Sequence, residues 1–270
     1  MQVARDLPER QRLSAVMAVI LLAYAATRFV QLPGQALAFD IAGISLPLPL
    51  NLNTITAILI AGLTATGADW LLQSYAGAAD RSRYRHWFLP AMTAWVLSLL
   101  LGSLAFDLQW WLGLGLCALF LLAVLLAEYA SSAPQNRYYA LSTQALAVLT
   151  YCLFLILAIT VRAVALRLYL ALPAVALGVF TAGSRLQLLT PGQRWQPLHA
   201  IGVTFICMQL AAAFHYLPLS ALGYGLGLLG LLYALNRYTV ALNTGEPIRP
   251  ALREAGISLA VFWVLALLLR

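Results

Sequence analysis

The chain has 270 residues, of which 63% are hydrophobic and only 9% charged, with a net charge of +7 and a mean hydropathy of +0.86. Soluble domains carry roughly one-quarter charged residues, so this chain holds too little polar material to coat a water-soluble core. Its basic residues stand at the ends of apolar segments and form no patch interleaved with aromatics, which argues against nucleic acid as a partner. All sixteen are arginine. Without lysine there is no Schiff-base chemistry, and retinal binding is excluded.

Nine apolar stretches follow one another, each near the roughly 20 residues that a helical span requires. They cover 13–30, 54–74, 87–106, 109–130, 139–160, 167–188, 198–215, 218–238 and 253–269. Helices satisfy their own backbone in lipid, so the expected fold is all-α and polytopic, a single transmembrane domain over 1–270. The first stretch follows Arg5, Arg10 and Arg12 and contains Ala23-Tyr24-Ala25, which resembles a signal-peptidase site. Its apolar character continues through Phe29 and Val30, which favours an uncleaved helix.

Between the first two stretches, Leu37, Phe39 and Ile41, then Ile44, Leu46, Leu48 and Leu50, repeat every second residue around Ala42-Gly43. This alternation predicts a short β-hairpin within 36–50 with one apolar face. Pro47 and Pro49 confine its second strand to an edge. Such a hairpin would lie on the helices as a lid or meet a partner. Further on, Pro90 falls in a first helical turn, where proline is tolerated, whereas Pro173 lies inside its helix and should kink it. Leu89-Pro90-Ala91 and Leu172-Pro173-Ala174 are too short a match to indicate an inverted repeat.

Arginine placement orients the array. With the N-terminus inside, Arg5, Arg10, Arg12, Arg81, Arg83, Arg85, Arg137, Arg185, Arg194, Arg237, Arg249 and Arg253 lie at cytoplasmic ends. Only Arg28, Arg162, Arg167 and Arg270 lie at outer ends. This segregation supports nine spans with an inner N-terminus and an outer C-terminus. Trp87 and Trp195 then mark the inner interface, and Trp110 and Trp111 the outer one.

A charge within a span costs roughly 2.5–3.5 kcal/mol at the helix centre on insertion scales. Asp69, in Gly67-Ala68-Asp69-Trp70, is therefore conspicuous, as is Glu128 near the end of the fourth stretch. Arg137, Arg185, His199, Asn236 and Arg237 are expected on the same side. If these ends converge, they form a cytoplasmic-side cluster in which carboxylates pair with arginines. It would serve as a proton relay or a headgroup site, or simply as salt bridges between helices. Small residues at Gly223, Gly225, Gly227 and Gly230, and at Ala61, Ala65 and Ala68, allow close helix approach within the chain or between chains.

Other chemistry finds no motif. The cysteines Cys117, Cys152 and Cys207 are isolated in apolar stretches and read as small buried hydrophobes. His86, His199 and His215 are scattered, so no metal site is expected; a single axial histidine for haem or a pigment stays open. GxSxG, GxSG, GxGD and HExxH are all missing. No cofactor is expected.

The block Asn51-Leu52-Asn53-Thr54, then Gly67-Ala68-Asp69-Trp70, then Arg83-Tyr84-Arg85-His86-Trp87 to Pro90 resembles an uncharacterised family of bacterial polytopic membrane proteins. The resemblance covers the first third of the chain and implies a bacterial inner membrane without implying an activity. Together these readings lead to a non-enzymatic membrane component: a scaffold, assembly factor or subunit. Its partners would be membrane lipids, and other membrane proteins met through the hairpin or the small-residue faces. The alternative is a carrier or flippase for a lipid-like or small anionic substrate that uses the Asp/Arg cluster.

Overall fold

The computed structural model describes residues 8–29, 37–41, 44–48, 52–73, 86–132, 136–190 and 196–269. Among them nine helices and one hairpin form, in the order α1 (Arg10–Phe29), β1 (Leu37–Ile41), β2 (Ile44–Leu48), α2 (Leu52–Leu72), α3 (Phe88–Ser103), α4 (Leu108–Ser131), α5 (Tyr139–Ala163), α6 (Leu168–Leu189), α7 (Pro197–Tyr216), α8 (Ala221–Thr244) and α9 (Ile248–Leu268). Eight of these helices are long and apolar enough to cross a membrane. The chain divides into two compact units, 1–139 and 140–270.

The hairpin pairs β1 and β2 antiparallel, with Leu37 opposite Leu48 and Ile41 opposite Ile44. Pro47 stands opposite Ala38. In a two-stranded ribbon each strand is an edge, so a residue lacking an N–H can be accommodated. Pro49 and the Ala42-Gly43 connection lie outside the described residues.

Within the first unit the polar ties show which helix ends meet. The Arg12 guanidinium, near the start of α1, stacks over Trp70 at the end of α2, 5.3 Å from its ring centre. Trp87, just before α3, donates its indole N–H to Asp69 near the end of α2. At the opposite end, Arg28 donates to the Leu104 carbonyl just after α3 and lies over the rings of Phe106 and Trp110. The four helices therefore run alternately up and down, the arrangement that short connections favour. Midway, the buried Tyr24 hydroxyl donates to the Ala94 carbonyl at 2.7 Å and ties α1 to α3.

The expected third span is shorter than its apolar stretch. The chain turns extended at Leu104, and the Asp107 side chain accepts from the backbone N–H of Gln109 and Trp110 to start α4. That N-cap ends the apolar run as a helix before hydropathy does. The 16 residues of α3 rise about 24 Å, against a hydrocarbon core of about 30 Å. Its ends still reach the same two ends as its neighbours. Pro90 lies in its first turn, as expected, and α6 continues through Pro173.

In the second unit, α8 is the central packing element because glycine removes its side chains where neighbours approach. A Cβ on Gly230 would lie 2.5 Å from the Phe262 Cβ of α9, and one on Gly223 would lie 2.7 Å from the Ala266 carbonyl oxygen. Gly225 faces Ile159 and Leu155 of α5, and Gly227 faces Phe214 of α7. The small-residue face is thus used within the chain. Buried threonines spend their hydroxyls locally: Thr64, Thr93 and Thr150 each donate to the carbonyl four residues earlier, which removes a polar cost in lipid. Cys117 and Cys207 are buried as expected, whereas Cys152 stands on an exposed face of α5.

Replacement of Gly230 by alanine should lower the stability of the detergent-solubilised chain by about 1–3 kcal/mol, because Phe262 meets it with a Cβ that cannot rotate away. Gly256→Ala, whose added methyl meets nothing within 4 Å, should leave stability unchanged or raise it. Thermal unfolding followed by circular dichroism distinguishes the two.

Candidate functional site

Each unit gathers charged side chains at its helix ends. In the first unit, α4 carries Glu128 in its last turn, where the side chain is 1% exposed. His86 precedes α3 and brings Nδ1 to 2.9 Å from Glu128 Oε2. An imidazole N–H donating to a buried carboxylate offsets part of the desolvation cost of that charge. Asp69, at the same end, is half-buried. Its Oδ2 accepts from Gln73 Nε2 at 2.8 Å, one turn later in α2, and its Oδ1 accepts from the Trp87 indole at 3.3 Å.

Sequence leads one to expect arginines at Asp69 and Glu128; the structure adds an amide and an indole at Asp69 and an imidazole at Glu128. His86 was not placed in the cluster from sequence, yet it is the side chain that meets Glu128. Arg81, Arg83 and Arg85 lie outside the described residues. Arg137 is exposed and lies 4.5 Å from the Tyr138 ring centre.

Arg185, His199, Asn236 and Arg237 belong to the second unit. Arg185 is buried in the last two turns of α6, and His199 is half-buried in the first turn of α7. Asn236 donates to the Tyr151 hydroxyl of α5 at 3.2 Å. Arg237 donates from Nη1 to Glu246 at 2.8 Å and from Nε to Glu254 at 2.9 Å. The chain geometry explains this fork. Gly245 takes a left-handed conformation (φ 71°) at the end of α8, and the Glu246 N–H donates back to the Ala241 carbonyl. Glycine adopts that conformation without a Cβ penalty. The reversal sets Glu246 beside Arg237, and α9 then carries Glu254 past the same guanidinium.

Glu246 and Glu254 were missed from sequence because the apolar runs end at 238 and resume at 253, whereas α8 extends to Thr244 and α9 begins at Ile248. Polar residues of an interfacial helical turn carry no hydropathy signal. At the other end of this unit Arg162, near the end of α5, donates to the carbonyls of His215, Leu217 and Leu219 and lies over Tyr224. Those carbonyls lie in the last turn of α7 and the connection to α8, where a helix end leaves acceptors without intrahelical donors. The arginine is a clamp that joins three helices.

Among the described residues no group of three His, Cys, Asp or Glu side chains could hold a metal ion. The arrangement is chemically suited to joining helices.

Such a fold, with eight apolar helices of spanning length and charges kept to helix ends, defines a multi-pass helical membrane protein. Residues 32–269 match one family model, and the chain belongs to that family, described as a protein of unknown function (DUF5656). Neither the curated proteins nor the solved structures gave a match.

Arg162→Ala should cost about 1–3 kcal/mol of stability, because three carbonyls lose a charged donor at once. Arg167→Ala, at an exposed position starting α6, should cost under about 0.5 kcal/mol. Thermal melts in one detergent compare them directly.

Proposed function

We propose that this protein is a non-enzymatic component of the bacterial inner membrane: a scaffold, assembly factor or subunit that packs against other membrane proteins. The observation that carries this reading is the use of the in-span and helix-end charges. Arg162, Arg237 and Glu128 each join one helix to another within their unit. The outer faces that remain are long apolar stripes. Leu108, Leu112, Leu116 and Leu119 form one on α4, and Ile257, Val261, Val264 and Leu268 another on α9, each residue more than half exposed. Helices with such stripes suit docking in the plane of the bilayer.

Orientation follows from arginine. Within the first unit Arg10, Arg12 and Arg137 share one end and Arg28 the other. Within the second, Arg185, Arg237, Arg249 and Arg253 stand opposite Arg162 and Arg167. The arginine-rich ends are cytoplasmic by the positive-inside rule, with the N-terminus inside and the C-terminus outside. In a cysteine-free background, Thr244→Cys should react with a membrane-impermeant maleimide only after the cytoplasmic face is opened, and Leu217→Cys should react in intact cells. The opposite pattern contradicts this orientation.

A second reading, a carrier for a lipid-like or small anionic substrate, draws support from the half-buried Asp69 at the same helix end as the buried Glu128. The two readings part on one measurement. Native electrophoresis of gently solubilised membranes should find the 29.3 kDa chain in a larger complex with other proteins. A lone chain that moves anions or lipid across proteoliposome membranes, with flux lost in Glu128→Gln, would replace the scaffold by the carrier.

A further inference from the structure

Between α1 and α2 the surface opens into a groove of about 390 Å³. Its walls are Ala15, Val16, Val19, Leu63, Gly67 and Trp70. Apolar atoms form nearly all of the lining, and the groove faces outward, because Trp70 and Val19 are 44% and 50% exposed. Gly67 brings the two helices together at its floor: a Cβ there would lie 2.8 Å from a Val16 methyl. The trough is thus shallow and apolar, and its walls are fixed by backbone approach.

One end of this trough carries a charge. Arg12 lies one turn before Ala15 and Val16 on the same face of α1, and its guanidinium rests on the Trp70 ring. Its Nε donates to Glu9 at 3.1 Å. Among the described residues no acceptor is recorded on its two Nη nitrogens, and the side chain is 33% exposed. A guanidinium lying over an indole, with its Nη nitrogens presented, binds phosphate oxygens well, and the contact restricts its motion in advance. Trp70 itself is an amphipathic ring at the level where headgroups meet acyl chains.

We propose that this groove holds one anionic phospholipid, with an acyl chain along α1 and α2 and the headgroup phosphate on Arg12. The two halves of the site match the two halves of such a lipid. An apolar trough alone accepts any chain, and the arginine adds the preference for negative charge. Near a membrane surface one arginine contributes on the order of a fivefold preference for an anionic lipid. Asp69, one residue before Trp70, is occupied by Gln73 and Trp87, and the Glu9 ion pair engages Arg12 through Nε. The site rests on the membrane location alone and stands or falls separately from the scaffold reading.

Quenching of tryptophan fluorescence by lipids brominated on the acyl chain reads the site directly. The full chain is reconstituted in phosphatidylcholine vesicles containing about one-tenth brominated phosphatidylglycerol or, in a parallel sample, brominated phosphatidylcholine. Subtraction of the Trp70→Phe signal isolates the Trp70 component, and circular dichroism checks that this variant keeps its helices. The brominated phosphatidylglycerol should quench Trp70 about fivefold more effectively, and Arg12→Gln should bring the two lipids to parity. Ala15→Phe, which fills the groove at an exposed position, should lower quenching by both. Equal quenching by the two lipids in the unaltered chain overturns the proposal, as does a phosphatidylglycerol preference that survives Arg12→Gln. Lipid retention measured by native mass spectrometry gives the same comparison without Trp70: phosphatidylglycerol retained over phosphatidylcholine, and that excess lost in Arg12→Gln.

Discussion

Water is missing from the middle of a bilayer, and each polar group placed there must find its partner inside the protein. That constraint orders this structure more than any single contact. Threonine hydroxyls return to their own helices, Tyr24 reaches the Ala94 carbonyl, and charged groups collect at helix ends. Each charge is then placed where a second helix can answer it. Arg162 meets the carbonyls at the end of α7 and in its connection to α8, Arg237 meets two glutamates across a glycine-capped reversal, and Glu128 meets His86. The unfavourable transfer of these groups into lipid is thereby turned into a specification of which helix ends belong together.

The apolar surface does the complementary work. A lipid-facing helix gains little from hydrophobic burial against another helix, since acyl chains are equally apolar. Close packing must supply the difference. Gly223 and Gly230 let α9 lie against α8, and Gly67 lets α1 lie against α2. The same approach at Gly67 shapes the floor of the outward groove, so one small residue both joins two helices and leaves room for a lipid chain.

Much of the architecture was legible in the sequence. Spans show themselves by hydropathy, because transfer to lipid is what hydropathy measures, and arginine marks their ends. The period-two pattern of Leu37 to Leu48 located the hairpin, and its register agrees. The end of α3 was not legible in this way, since Leu104 to Phe106 remain apolar after the helix has stopped at Ser103, ahead of the Asp107 cap that starts α4. The ends of α8 and α9 were hidden for the opposite reason: polar turns extend both helices past their apolar runs. Partners were the least legible of all. Asp69 and Glu128 are conspicuous as charges, but that Trp87 and His86, just before α3, stand beside them depends on which helix ends adjoin.

Buried charge in this protein binds helix to helix, and the His86–Glu128 pair is the sharpest place to measure that. A double-mutant cycle of His86→Ala and Glu128→Ala, with unfolding free energies measured in one lipid–detergent mixture, isolates their coupling. The account predicts a favourable coupling of about 1–2 kcal/mol, with the double variant less destabilised than the two single losses added together. Losses that add within about 0.3 kcal/mol would contradict it, because the two side chains would then be neighbours without being partners.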